Sequence, residues 1–221
     1  MPVASQRKAF SRAASGVPTA EEDSLEISPA WEPGGEAVEG LHRWRASLRE
    51  DMSRTLDDPR WPRALAGVGV VHLLAFLVCQ ALAEPVSRRD LRYLAIWFVE
   101  LVCVFGVMRA LAGRHWIRRS AAVNLAAKLW TTFLILSFNV VSLNSLVGIE
   151  NPWFKAVWGT LSTFLFASLA WLFTPLFFIP AVQMWATGML MAQFDPYAYL
   201  IYGVSWSLAL FGIAGWIRRA H

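Results

Sequence analysis

Only five acidic residues, Glu84, Asp90, Glu100, Glu150 and Asp195, occur in the 158 residues from Ala64 to the C-terminal His221. A water-soluble domain of that size covers its surface with charge, about a quarter of its residues on average, and this stretch cannot. A bilayer removes the requirement, because lipid tails solvate apolar side chains while a helix satisfies its own backbone polar groups. The chain is therefore expected to be all-α: a polytopic transmembrane helix bundle over residues 61–221, after a polar tail over residues 1–60 that is cytosolic and partly disordered.

Charge divides along the same line. Residues 1–63 hold eleven of the sixteen acids and nine of the twenty Lys and Arg. The remainder carries eleven basic residues, mostly in short segments between apolar runs, where they suit anionic headgroups. No basic stripe on a soluble surface is present, so nucleic acid is not an expected partner.

Within the tail, residues 1–20 carry Arg7, Lys8 and Arg12 and no acid, a composition shared by organellar transit peptides and disordered bacterial tails. No run of seven apolar residues precedes position 64, so no cleaved secretory signal is expected. Residues 21–40, acidic and broken by Pro29, Pro33, Gly34 and Gly35, read as linker. Over residues 37–56, Leu41, Trp44, Leu48, Met52 and Leu56 recur every three or four positions, with arginines between them. That spacing predicts an amphipathic helix ending before Asp57-Asp58-Pro59, lying on the membrane surface or against the chain's own cytosolic loops.

Apolar runs place spans at about 62–83, 91–113 and 121–148, each reaching the roughly 20 residues a helix needs to cross the hydrocarbon core. From Ala156 to Phe194 no side chain is charged. A single helix of that length would extend nearly 60 Å, about twice the core, so it must break, and Pro175 and Pro180 are the natural breakpoints. A last span covers about 197–217. Six spans with the break, or five without, are the alternatives. Six place Arg54, Arg60, Arg63, Arg114, Arg118, Arg119, Arg218 and Arg219 on one side, against Arg88, Arg89, Arg92 and Lys155 on the other. The positive-inside bias then makes both termini cytosolic, in a cell (inner or plasma) membrane or an organellar one. Trp61, Trp116, Trp153 and Trp216 fall near span ends and read as headgroup anchors.

Ionisable groups at bilayer depth are functional candidates by default. His72 and Glu100 fall mid-span on consecutive helices, which puts a His–carboxylate hydrogen bond within reach, either as glue between helices or as a proton relay. Lys128 lies two turns into the third span and is long enough to reach the cytosolic headgroups. With Asn124, Thr131, Asn139, Ser142 and Ser145 it forms a polar row, expected to face the bundle interior as hydrogen-bonding glue or as a solute path. Gly159, Thr163 and Ala167, and Gly203 with Ser207, form small-residue faces for close packing.

No cofactor or metal site is expected. Only one histidine lies at depth, His72 and Cys79 are about 10 Å apart along their helix, and no phosphate loop, zinc motif or nucleophile elbow occurs. Cys79 and Cys103 read as buried small hydrophobes. Three function classes remain. One is an accessory subunit or scaffold beside a larger membrane partner or in a homo-oligomer. Another is a small proton- or solute-linked transporter or channel, and the third a lipid-acting membrane enzyme.

Overall fold

A computed structural model describes residues 35–83, 92–147 and 154–219, with no strand among them. Residues 1–34, Arg88, Arg89, Trp153, the side chain of Ser145 and His221 lie outside what it describes, while residues 35–40, the end of the stretch read as linker, are instead the start of a helix. The chain divides between Glu39 and Gly40. Of the first unit only the opening turn of α1, Gly35–Glu39, is described, and its residues are exposed. All that follows concerns the second unit.

Seven α-helices follow the apolar runs: α1 (Gly35–Leu56), α2 (Arg60–Ala81), α3 (Arg92–Val107), α4 (Ala121–Val147), α5 (Phe154–Leu172), α6 (Phe178–Gln193) and α7 (Ala198–Arg219). A π turn, Met108–Ala112, continues α3 and ends at Gly113, whose φ of 102° suits glycine. Among the described residues, five helical segments are long and apolar enough to cross a membrane: Arg60–Ala81, Arg92–Ala112, Ala121–Leu143, Pro175–Gln193 and Asp195–Arg219. α5 is a sixth bundle helix, of 19 residues, and carries Lys155, Thr160, Ser162 and Thr163. The long uncharged run does break, at Phe173–Thr174. Thr174 is extended (φ −148°, ψ 138°), as a residue before proline prefers, and Pro175 opens a 3-10 turn that feeds α6. Pro180 sits in the first turn of α6, where its missing N–H leaves no helix bond unmade.

Neighbouring helices alternate in direction. Gly69 meets Ser207 and Phe211 while Gln80 meets Leu200, so α2 and α7 are antiparallel; Gly159 meets Gly188 while Lys155 meets Asp195, so α5 and α6 are too. The start of α2 and the end of α7 consequently share one end of the bundle. α1 docks there as well: Leu48 and Met52 are buried among Ala122, Phe173 and their neighbours, while Leu41 and Trp44 on the same helix remain 60% and 47% exposed.

Small residues make the two tightest helix pairs possible. A Cβ on Gly159 would come within 2.5 Å of the Gly188 Cα, and one on Gly203 within 2.4 Å of the Phe76 Cβ. Ser207 donates its hydroxyl proton toward the Gly69 carbonyl at 2.8 Å, across the α2–α7 seam. At the far end, the Gln80 amide donates to the Pro196 carbonyl (2.8 Å) and its oxygen accepts from the Leu200 N–H (3.1 Å), which satisfies two backbone groups where α7 begins. Lys155 bridges to Asp195 at 3.1 Å and lies 5.1 Å from the Tyr199 ring centre.

α4 is the exception. Its backbone comes close along any length only to α5 and to the 3-10 turn Trp116–Arg118. Its first turn is held by the Ser120 hydroxyl, which accepts from the Val123 N–H (3.0 Å), and by the Asp51 carboxylate, which accepts from the Ala122 N–H (2.8 Å). The polar row of this span does not face inward as expected. Lys128, Thr131, Asn139 and Ser142 are exposed, and only Asn124 is half-buried. α4 turns its aromatic face, Trp130, Phe133 and Phe138, to the interior instead, and Thr131 satisfies its hydroxyl on the Ala127 carbonyl of its own helix at 2.8 Å. Facing outward therefore leaves the threonine no unmet bond. Trp61 and Trp116, expected as headgroup anchors, are 6% and 8% exposed and meet edge to face at 6.3 Å, because α3's π turn and the 3-10 turn fold over the start of α2. Trp216 is exposed.

The α1–α2 turn carries its own electrostatic lock. Asp58 accepts from the Arg60 N–H at 3.0 Å and from the Arg119 guanidinium at 2.9 Å. The backbone bond above all, with the two guanidinium groups, holds its carboxyl below the usual carboxylate range, despite a smaller opposing effect of burial. A depressed folded-state pKa contributes stability above the unfolded carboxylate pKa and loses it as pH falls through the folded value. Asp58→Asn is accordingly expected to cost about 0.5–1 kcal/mol at neutral pH. Thermal melts in detergent should show the gap to wild type closing in acid.

Candidate functional site

A cavity of about 290 Å³ lies between α4 and the α2–α3–α5–α7 side of the bundle. Its wall is overwhelmingly apolar, but not uniformly so along its length. Toward the α1 end it is lined by Met52, Leu56, Trp61, Met108 and Val123, with no polar group beyond a tryptophan ring. Polar atoms appear near mid-depth and beyond.

His72 of α2 and Glu100 of α3 stand at that level. The two helices run antiparallel with their centres in register, so the expected juxtaposition becomes contact: the His72 Nδ1 is 2.5 Å from Glu100 Oε1, with side chains 14% and 12% exposed. With Nδ1 taken up by the Glu100 oxygen, the other ring nitrogen, Nε2, must find its partner elsewhere. That Nε2 is buried and without a partner among the described residues, and His72 lines the cavity. The ring is wedged by Phe76, Trp206 and Tyr202, whose centres lie 4.5, 5.6 and 5.8 Å away.

Three more buried polar atoms lacking a nitrogen or oxygen partner belong to residues lining the same cavity: the indole nitrogens of Trp97 (α3), which has the Cys79 thiol beside it as a weak acceptor, and Trp158 (α5), and the Ser137 hydroxyl (α4). Trp97 and Glu100 are three residues apart and share a face of α3. All three residues lie on the far side of Glu100 and Phe133 from α1, about a turn along their helices. Tyr202 and Trp206 line the cavity too, and their polar atoms are satisfied. The Trp206 N–H donates to Ser162 Oγ (2.9 Å) and Tyr202 Oη (2.8 Å), and those two oxygens are 2.9 Å apart. Satisfied and unsatisfied polar side chains therefore share the lining of one cavity.

Of the sequence candidates, the structure brings together His72 and Glu100 alone. Asn124, Lys128, Thr131, Asn139 and Ser142 stay on the other side of α4 from the cavity lining. Sequence reasoning passed over Trp97, Ser137 and Trp158. The available signal was depth, since an indole N–H far from the headgroups needs an acceptor inside the protein. No group of three or more His, Cys, Asp or Glu side chains gathers as a metal site among the described residues; Cys79 is buried, and Cys103 is exposed rather than buried as expected.

Known proteins offer no guide to this arrangement, since no family model, curated protein or solved structure matches the chain. Fold and cavity together define its class on their own terms: a polytopic helical membrane protein with a largely apolar, partly open cavity into whose lining His72 and Glu100 are set.

Proposed function

We propose that this bundle binds a small amphiphile within the membrane and that the His72–Glu100 pair exchanges a proton with its polar head. One observation carries the reading: four helices each contribute to the lining of a single cavity a residue whose buried polar atom lacks a nitrogen or oxygen partner. Each such atom costs about 1–3 kcal/mol if left unmet, and native proteins hold few of them. The indole N–H groups of Trp97 and Trp158 can only donate, so the head carries an acceptor such as a carbonyl, hydroxyl or carboxylate oxygen. The Ser137 hydroxyl can do either. At His72, Nε2 accepts a proton from the head, and the imidazolium so formed is held by the Glu100 carboxylate. The ligand's apolar body lies toward Trp61 and Met108. This supports the proton- or solute-linked class over a purely accessory role.

The end that carries α1 also carries Arg60, Arg63, Arg114, Arg118, Arg119, Arg218 and Arg219, and in this reading it faces the cytosol.

A photoreactive diazirine analogue of decanol, added to the protein in lipid nanodiscs, tests the proposal. Labelling is expected on cavity residues such as Phe133 and Leu165, and excess decanol should suppress it more than excess decane does. Labels confined to outward residues such as Phe98 and Ile179 would sink it.

A further inference from the structure

We infer that the outward face of α4 docks a different membrane protein, through a transmembrane helix bearing a carboxylate at the depth of Lys128. Lys128, Thr131, Ile135, Asn139 and Ser142 follow one another at steps of three, four, four and three. That mean of 3.5 is the seam of two helices crossing at a shallow left-handed angle. All five residues are exposed, and Ile135 at the centre of the row is 64% exposed. With α4 running 27 residues, about 40 Å, Lys128 and Asn139 both fall inside a hydrocarbon core of roughly 30 Å. Neither has a hydrogen-bonding partner among the described residues. Ionisable and amide side chains at that depth almost always face protein, and here they face away from their own bundle.

Charge decides which protein. A second copy related by a two-fold axis along the membrane normal would set equal depths face to face, and so set Lys128 against Lys128 of the copy. The one acid at depth among the described residues, Glu100, is turned into the cavity and cannot answer it. A helix with Asp or Glu opposite Lys128 can. An amide or hydroxyl three turns further along that helix would meet Asn139 and Ser142, and so set its register.

The full chain, labelled with a donor fluorophore in liposomes, is tested against two designed leucine-rich single-span helices carrying an acceptor. One has Glu at the depth of Lys128 and Asn at the depth of Asn139; the other has Leu at both. The Glu/Asn helix is expected to associate at least tenfold more tightly, and the Lys128→Leu/Asn139→Leu protein to lose that difference. The all-Leu helix leaves the protein untouched, so a misfolded variant cannot mimic the result. Equal association of the two helices would overturn the proposal and leave Lys128 to the headgroups. Energy transfer between copies of the chain, lost on Asn139→Leu, would overturn it in favour of a homotypic contact. Neither outcome bears on the cavity.

Discussion

Glu100→Gln is expected to leave the bundle folded and to weaken binding of decanoic acid tenfold or more, while decanol binding changes less than threefold. The amide oxygen of glutamine can still accept from His72 Nδ1, so the α2–α3 contact survives. What disappears is the negative charge that holds the imidazolium once Nε2 has taken the proton of an acidic head. Hydrogen bonds to charged groups are worth about 1.5–3 kcal/mol, against about 1 for neutral ones, which sets the tenfold scale. Decanol gives up no proton at neutral pH and should report on packing alone. Equal losses for both ligands would mean that Glu100 only positions the ring. Glu100→Leu should behave differently again. It leaves Nδ1 without an acceptor in an apolar wall, and is expected to lower thermal stability as well as binding.

The largest stability effect is expected from Gly159→Leu. A side chain there meets Gly188 Cα at 2.5 Å, its nitrogen at 2.7 Å and the Met184 carbonyl at 3.0 Å, all backbone atoms that cannot rotate aside. The α5–α6 pair must separate, and Trp158, next to the contact on α5, loses its place in the cavity wall. Overpacking usually costs about 1–3 kcal/mol where neighbouring side chains can move; with backbone on the other side the upper end or beyond is expected. Thermal unfolding in detergent, followed by tryptophan fluorescence, should show a lowered midpoint. A midpoint equal to that of Thr163→Leu, a control at a half-buried position one turn along α5, would show that the close approach contributes little.

Much of the fold was legible because a bilayer writes helices as lengths. The ends of α2, α4 and α7, and of α3 taken together with its π turn, fall within two residues of the limits of their apolar runs. The break before Pro175 follows from the reach of a single helix, and the juxtaposition of His72 with Glu100 follows from equal depth on adjacent antiparallel spans. Rotation about the helix axis was not legible. In water a helix shows its buried side by polarity contrast, but in lipid both sides are apolar, so the polar row of α4 was assigned to the interior on the only contrast visible. The interior instead took the aromatic face, and Thr131 met its own needs locally. Trp97 and Trp158 were lost for a related reason: an indole at an interface and an indole in a cavity wall look alike in sequence.

Because α4 makes close backbone contact only with α5 and, at its start, with the 3-10 turn Trp116–Arg118, one wall of the cavity is loosely tied to the rest. The α2–α7 and α5–α6 pairs are locked by glycines that admit no enlargement. The side chains of Trp130, Leu134 and Phe138 face the cavity from a helix that can shift without unseating either pair. Descendants of this chain could therefore change the size of what they bind by substitutions on a single helix, with His72 and Glu100 left as they are.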